Sequence, residues 1–166
     1  VIAALDVVTS VVETRSLDLS DMNLAEAAMI SLVAALSKLD QLQTLNLNGN
    51  TLSDTSIHLL ALSLERMTEL RSLSLSKTSI GRVGTHHLRK ILLACHQLEQ
   101  LDLSDKHLDT NGAVMLSQCL ASMPHLRTLT LDGNSIGAEG IRALGGVLPQ
   151  CQVLRELNLS AATLRS

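Results

Sequence analysis

Leucine recurs along the chain in one frame. From Leu42 the sequence reads Leu-Gln-Thr-Leu-Asn-Leu-Asn-Gly-Asn-Thr-Leu, and the same order of apolar and polar positions returns at 70–80, 98–108, 126–136 and 154–164, with a leucine-poor copy at 14–24. The central leucines are Leu17, Leu45, Leu73, Leu101, Leu129 and Leu157, so successive copies lie 28 residues apart (45 − 17, 157 − 129). Within each copy apolar residues alternate at period 2, as at Leu45 and Leu47, which predicts a short strand with its leucines on one side. Between the strands the apolar positions change to helical spacing, as at Met29, Leu32, Leu36 and Leu39, at Leu116 and Leu120, and at Ile141, Leu144, Val147 and Leu148. Strands separated by helices pair in parallel, and units of this length bury their apolar faces only against one another. The pattern therefore predicts an α/β fold: a right-handed curved solenoid with parallel strands on the concave face and helices on the convex face.

Two smaller regularities sharpen the frame. Asn50 and Asn134 follow the strand at equivalent positions, where a side-chain amide can satisfy backbone groups that the solenoid buries. The other copies place Met22, Thr78, Lys106 and Ala162 there; Thr78 is expected to substitute in part, and Met22, Lys106 and Ala162 are not. Gly84, Gly112 and Gly140 recur at the helix starts, with Ala28 and Ser56 in the earlier copies, which points to a close approach that admits only small residues. Val1, Ala4, Val8 and Val11 continue the helical positions one period upstream, predicting a partial helix over 1–13. Residues 1–166 then form one domain with repeats starting near 14, 42, 70, 98, 126 and 154. Neither end carries a polar capping repeat, so the chain is read as a piece of a longer array.

The combination Leu-x-x-Leu-x-Leu-x-x-Asn-x-Leu, a small residue and a full helix resembles the ribonuclease-inhibitor-like class of leucine-rich repeats (LRR). The resemblance covers essentially the whole chain. It implies the horseshoe fold and a use in binding proteins. Ribonuclease inhibitors, Ran GTPase-activating proteins, NOD-like receptors, and axonemal and cytoskeletal scaffolds share this class, so it does not select one function.

Composition fits that reading. Of the 166 residues 46% are apolar, enough for a continuous core, and the formal charge of −3 offers no basic field for nucleic acid. The apolar run over 27–36 is broken by Ser31 and has amphipathic spacing, so neither a membrane span nor a signal peptide is expected. Cys95 and Cys151 stand where other copies have Leu39, Met67 and Met123, so they are expected as small buried hydrophobes; with Cys119 they form no Cys-x-x-Cys pair. Reduced buried thiols suit the cytosol or nucleus, and a cytoplasmic setting is expected, with a nuclear or cytoskeletal/axonemal one as the alternative. The chain holds no Phe, Tyr or Trp, for which the fold offers no physical reason.

The residues between the strand leucines are the candidates for function. They are Ser16, Asp18, Ser20; Thr44, Asn46, Asn48; Ser72, Ser74, Ser76; Gln100, Asp102, Ser104; Thr128, Thr130, Asp132; and Glu156, Asn158, Ser160. Asp18, Asn46, Ser74, Asp102, Thr130, Asp132, Glu156 and Asn158 are the expected protein-binding set, mildly acidic and suited to a basic segment of a partner. The plain alternative is that short polar residues are what a wet concave sheet tolerates, since the aromatic and arginine anchors of most hot spots are missing from these positions. Asp102 and Asp132 have no His or nucleophile between them, so catalysis is not expected. His58, His86, His87, His96, His107 and His125 include no set of four converging ligands, and neither a metal nor another cofactor is expected. His86, His87, Arg89 and Lys90 form a basic cluster on a convex helix, able to meet an acidic partner or simply to be solvated. The glycines of 133–140 lack both the Walker lysine and dinucleotide-binding spacing. Arg82, expected in a strand-to-helix loop, is the arginine that a GTPase-activating role would use. The expected function is a non-catalytic protein-interaction scaffold within a larger intracellular assembly. A Ran-type GTPase activator and the ligand-sensing region of a NOD-like receptor are the alternatives.

Overall fold

The computed structural model describes residues 14–78 and 82–161; the helix expected over 1–13, and Ala162, lie outside the described residues. The elements are β1 (Ser16–Asp18), α1 (Glu26–Leu36), β2 (Thr44–Asn46), α2 (Asp54–Leu64), β3 (Ser72–Ser74), α3 (Arg82–Ala94), β4 (Gln100–Asp102), α4 (Thr110–Leu120), β5 (Thr128–Thr130), α5 (Gly137–Val147), a 3₁₀ turn (Leu148–Gln150) and β6 (Glu156–Asn158). All six strands join one sheet in sequence order, each parallel to the next. Leu17 pairs with Leu45, Leu45 with Leu73, Leu73 with Leu101, Leu101 with Leu129 and Leu129 with Leu157. Strands pack about 4.8 Å apart and helices about 8–10 Å apart, so the stack must bend toward its strands. The result is a right-handed curved solenoid with a concave sheet and convex helices.

The core runs the length of the stack in rows. Leu45, Leu73, Leu101 and Leu129 are buried, and opposite them stand the helix leucines Leu32, Leu60, Leu88, Leu116 and Leu144. Leu39, Met67, Cys95 and Met123 close the far side of the core, and burial pushes the Cys95 thiol up to about 12, which keeps it protonated and unreactive. Cys151, expected in the same core row, is only half buried. The fifth helix ends at Val147, one residue before the expected Leu148, because Pro149 brings no N–H to continue it and the chain tightens into a 3₁₀ turn.

The asparagine positions behave as expected, and one substitute does not. Asn50 Nδ2 donates to Leu19 O at 2.8 Å and Leu47 O at 2.9 Å, while its Oδ1 accepts from Leu24 N at 3.0 Å, tying two repeats together. Asn134 repeats this with Leu103 O, Leu131 O, Lys106 N and Leu108 N. Thr78 donates within its own repeat, to Leu75 O at 2.6 Å. Lys106, which was not expected to substitute, does so. Its side chain is fully buried, and Nζ donates across the repeat boundary to Leu75 O at 3.0 Å and to Thr78 Oγ1. The flexible stem reaches the carbonyl of the preceding repeat that an amide at position 106 would bond, as Asn134 bonds Leu103 O.

Helix starts are secured locally. Ser53 accepts from Ser56 N at 3.1 Å and Asp109 from Gly112 N at 2.8 Å, each satisfying a free first-turn donor. For α3 the cap comes from the preceding helix, Asp54 Oδ1 accepting from Gly84 N at 2.9 Å. The requirement for a small residue is steric at Gly140, where a Cβ would lie 2.7 Å from Ile136 Cγ2 and 2.8 Å from Ala113 Cβ.

Candidate functional site

The parallel register turns the polar positions of the strands into rows. One row is Asp18, Asn46, Ser74, Asp102, Thr130 and Asn158; beside it run Ser16, Thr44, Ser72, Gln100, Thr128 and Glu156. Asp18, Glu156 and Asn158 are exposed, whereas Asn46, Ser74, Asp102, Thr130 and Asp132 are half-buried. Ser76, counted among the outward positions, is buried, and its N–H donates to Asn48 Oδ1 at 2.7 Å.

Much of the acidity on this face has a structural use. Asp18 Oδ1 accepts from Ser20 N at 2.9 Å and Ser20 Oγ at 2.7 Å, and Asp102 Oδ1 accepts from Ser104 N at 3.0 Å and Ser104 Oγ at 2.7 Å. Asn46 and Asn158 accept from the N–H two residues on in the same way. Four of the six repeats thus begin their loop with an Asx turn. The donors around Asp18, the Ser20 N–H first and its hydroxyl next, hold that carboxyl below its usual range. Asp132 is within 3.5 Å of Asn158 Nδ2. The Asp18 carboxylate remains anionic, and a cationic segment of a partner can add to these bonds without displacing them.

A basic row borders the acidic ones, and the strand-leucine frame passed over it because its outward positions were counted from one residue later. It consists of Arg15, Gln43, Arg71, Glu99, Arg127 and Arg155. Their backbones extend the ladder below the strands, Arg71 N donating to Gln43 O, Glu99 N to Arg71 O, Arg127 N to Glu99 O and Arg155 N to Arg127 O at 2.7–2.8 Å. Glu99 sits between two guanidinium groups, with Oε1 3.1 Å from Arg71 Nη1 and Oε2 3.3 Å from Arg127 Nε.

On the convex side the expected basic cluster is rearranged. Arg89, Lys90 and His86 are exposed, but His87 turns inward. Its ring lies 4.5 Å from that of His58 on α2 and edge-on to His86 at 5.8 Å, and the Nδ1 atoms of His58 and His87 are buried without a hydrogen-bond partner. Desolvation, and then the charges of His58, Lys90 and His86, push the His87 imidazole down, against a smaller upward pull from Asp54. His87 is therefore a neutral packing group at pH 7, a consequence of its position on the helix that adjacency to His86 did not reveal. Arg82 opens α3 instead of lying in the loop before it. Among the described residues no cluster of three or more His, Cys, Asp or Glu could hold a metal, and no helix is long and apolar enough to cross a membrane.

Two segments of the chain match known families: residues 41–63 match one described as Leucine Rich Repeat, and residues 122–145 match a second of the same description. The chain carries leucine-rich repeats. Such repeats generally serve protein–protein interaction as binding scaffolds. None of the curated proteins compared with this leucine-rich repeat chain matches it. Among solved structures it is similar to the tropomodulin C-terminal domain of Caenorhabditis elegans, at 11% identity and a TM-score of 0.71, covering 89% of this chain and 93% of that one. An internalin from Listeria monocytogenes aligns at 15% identity with a TM-score of 0.31, over 93% of this chain and 68% of that one. The first likeness is one of fold.

Proposed function

We propose that this chain is a non-catalytic protein-interaction module, built of ribonuclease-inhibitor-like repeats and working as one part of a larger intracellular assembly. Its concave sheet is the contact face, with Asp18, Asn46, Ser74, Asp102, Thr130, Asp132, Glu156 and Asn158 meeting a partner that brings a basic segment. The observation that carries this reading is the register: six parallel strands place short polar side chains in straight rows over an open face. Such a face suits a broad contact and leaves a small substrate exposed to water, where general acid–base chemistry gains little.

The test compares two sets of variants in pull-downs from cell extract. Asp18→Asn, Asp102→Asn, Asp132→Asn and Glu156→Gln together remove the negative charge while Asn keeps the Asx turns, as Asn46 and Asn158 do. His86→Ala, Arg89→Ala and Lys90→Ala alter the convex helix. The concave set is expected to release partners that the convex set retains. The reverse outcome overturns the choice of face, and acceleration of GTP hydrolysis by the purified protein overturns the choice of class.

A further inference from the structure

The row that borders the concave face has chemistry opposite to its neighbours. Four arginines against one glutamate leave +3 on Arg15, Gln43, Arg71, Glu99, Arg127 and Arg155. The carboxylate directly next to the row in sequence, Glu156 beside Arg155, still leaves the strip positive. The rows further along the strands carry Asp18, Asp102 and Asp132 and no cation. In a chain whose total charge is −3, this is a concentration of arginine at one edge of one sheet.

Geometry makes the row more than a solvated charge run. The backbone ladder fixes the spacing, so Arg71, Arg127 and Arg155 stand immediately before β3, β5 and β6 at steps of about 4.8 Å per strand. Glu99 bonds Arg71 and Arg127 at once through its two oxygens, which holds both side chains toward a common point and lowers the entropy lost when a ligand binds them. Each guanidinium has five donors and gives one contact to Glu99, so forks remain free for a carboxylate. Both arginines stay about half exposed, with side-chain exposures of 54% and 49%.

We propose that Arg71 and Arg127, ordered by Glu99, together with Arg155 next in the row, dock an acidic segment of a partner protein that runs across the strands along the edge of the sheet. The proposal rests on the reading of the chain as an interaction module and adds a second, oppositely charged subsite to it. A partner with adjoining acidic and basic stretches can then lie on the sheet in one direction only, since reversing it sets like charges together.

The probe is a capped, fluorescently labelled hexaglutamate peptide, long enough at about 3.3 Å per extended residue to pass from β3 to β6. Anisotropy at low salt is expected to show binding that weakens as ionic strength rises and exposed charges are screened. Arg71→Gln, Arg127→Gln and Arg155→Gln together should weaken it about tenfold, the sum of three exposed charge contacts. Arg89→Gln with Lys90→Gln on the convex helix should change it by less than about twofold. Circular dichroism confirms that each variant is folded, and a triple Arg→Lys variant, which keeps the charge and loses the fork, should fall between. Hexaglutamate failing to bind at low salt, or losing affinity equally in the convex variant, overturns the proposal. So does a labelled hexauridylate that binds this row more tightly than the peptide, because the partner would then be nucleic acid. If hexaglutamate fails while the concave variants still release their partners, this inference falls and the interaction-module reading stands.

Discussion

Lys106 is the residue whose role departs furthest from its sequence setting. The leucine frame marks its position as one for a hydrogen-bonding amide, and a lysine there reads as a break in the series. What the sequence could not carry is the direction of a long side chain, which here turns inward to Leu75 O and Thr78 Oγ1. Among the described residues no carboxylate forms an ion pair with it, and desolvation pushes the ammonium down to about 7, against a smaller upward pull from Asp102. In the unfolded chain the same group has its ordinary pKa of about 10.4. Between these values the unfolded state binds the extra proton, so stability should rise as the pH is raised from about 7 toward 10, and the full cost of the buried charge is present below about 7. Lys106→Asn should remove that slope and gain roughly 1–3 kcal/mol at pH 6, the range for a buried polar group imperfectly compensated. Urea melts at pH 6 and pH 9 measure both effects, and equal slopes for the two proteins would refute the assignment. A second residue-scale expectation concerns Gly49, at φ +69°, where a Cβ would lie 1.9 Å from Asp21 Oδ1. Lys77 and Ala161 hold the same left-handed position without glycine, so backbone conformation alone does not demand it. Gly49→Ala should cost about 1–3 kcal/mol, and Asp21→Ala in the same chain should restore most of that loss, as a thermal double-mutant cycle would read.

Among the elements, the strands and helices were legible because each is repeated: a chance apolar position in one copy is corrected by its equivalents in the others. Boundaries were less legible where chemistry is local, as at Pro149. Contacts between neighbouring helices were not legible at all, and the His58–His87 seam between α2 and α3 is the clearest case. Helical spacing puts His87 next to His86 in sequence but on a different side of α3, and only packing decides that it meets His58. Because burial lowers the His87 pKa below 6.5, the unfolded chain takes up its proton first as the pH falls. Stability contributed by this seam is complete above pH 6.5 and is lost as the pH drops from there to the folded-state value. The groups facing His87 are His58 and Asp54 from α2 and His86 and Lys90 from its own helix, so the net field opposes protonation. His87→Gln should flatten the acid side of the stability profile below about pH 6.5. Proton NMR titration of the imidazole checks the cause, and a His87 midpoint at or above 6.5 would exclude it.

For the whole molecule, the solenoid could be read from sequence because its core is a set of long-range contacts written as a local period. The binding chemistry could not be read so directly, since rows on the sheet surface are set by register, and the register assigns significance to Arg71, Glu99, Arg127 and Arg155 only when they are viewed across strands. The same architecture governs how damage spreads. Leu101 is buried between Leu73 and Leu129, its partners in register, so its side chain belongs to three repeats at once. Leu101→Ala should cost about 2–5 kcal/mol through lost transfer free energy and the cavity left behind. In a protein with one compact core that loss would lower stability everywhere alike, whereas in a stack held by nearest-neighbour contacts it is largest at the altered repeat and fades with distance. Hydrogen exchange should therefore show reduced protection in β4 and its neighbours β3 and β5, with β1 the least affected strand. A loss under about 1 kcal/mol would mean that Leu101 contributes little to the core; uniform loss of protection from β1 to β6 would mean that the chain unfolds as one cooperative unit.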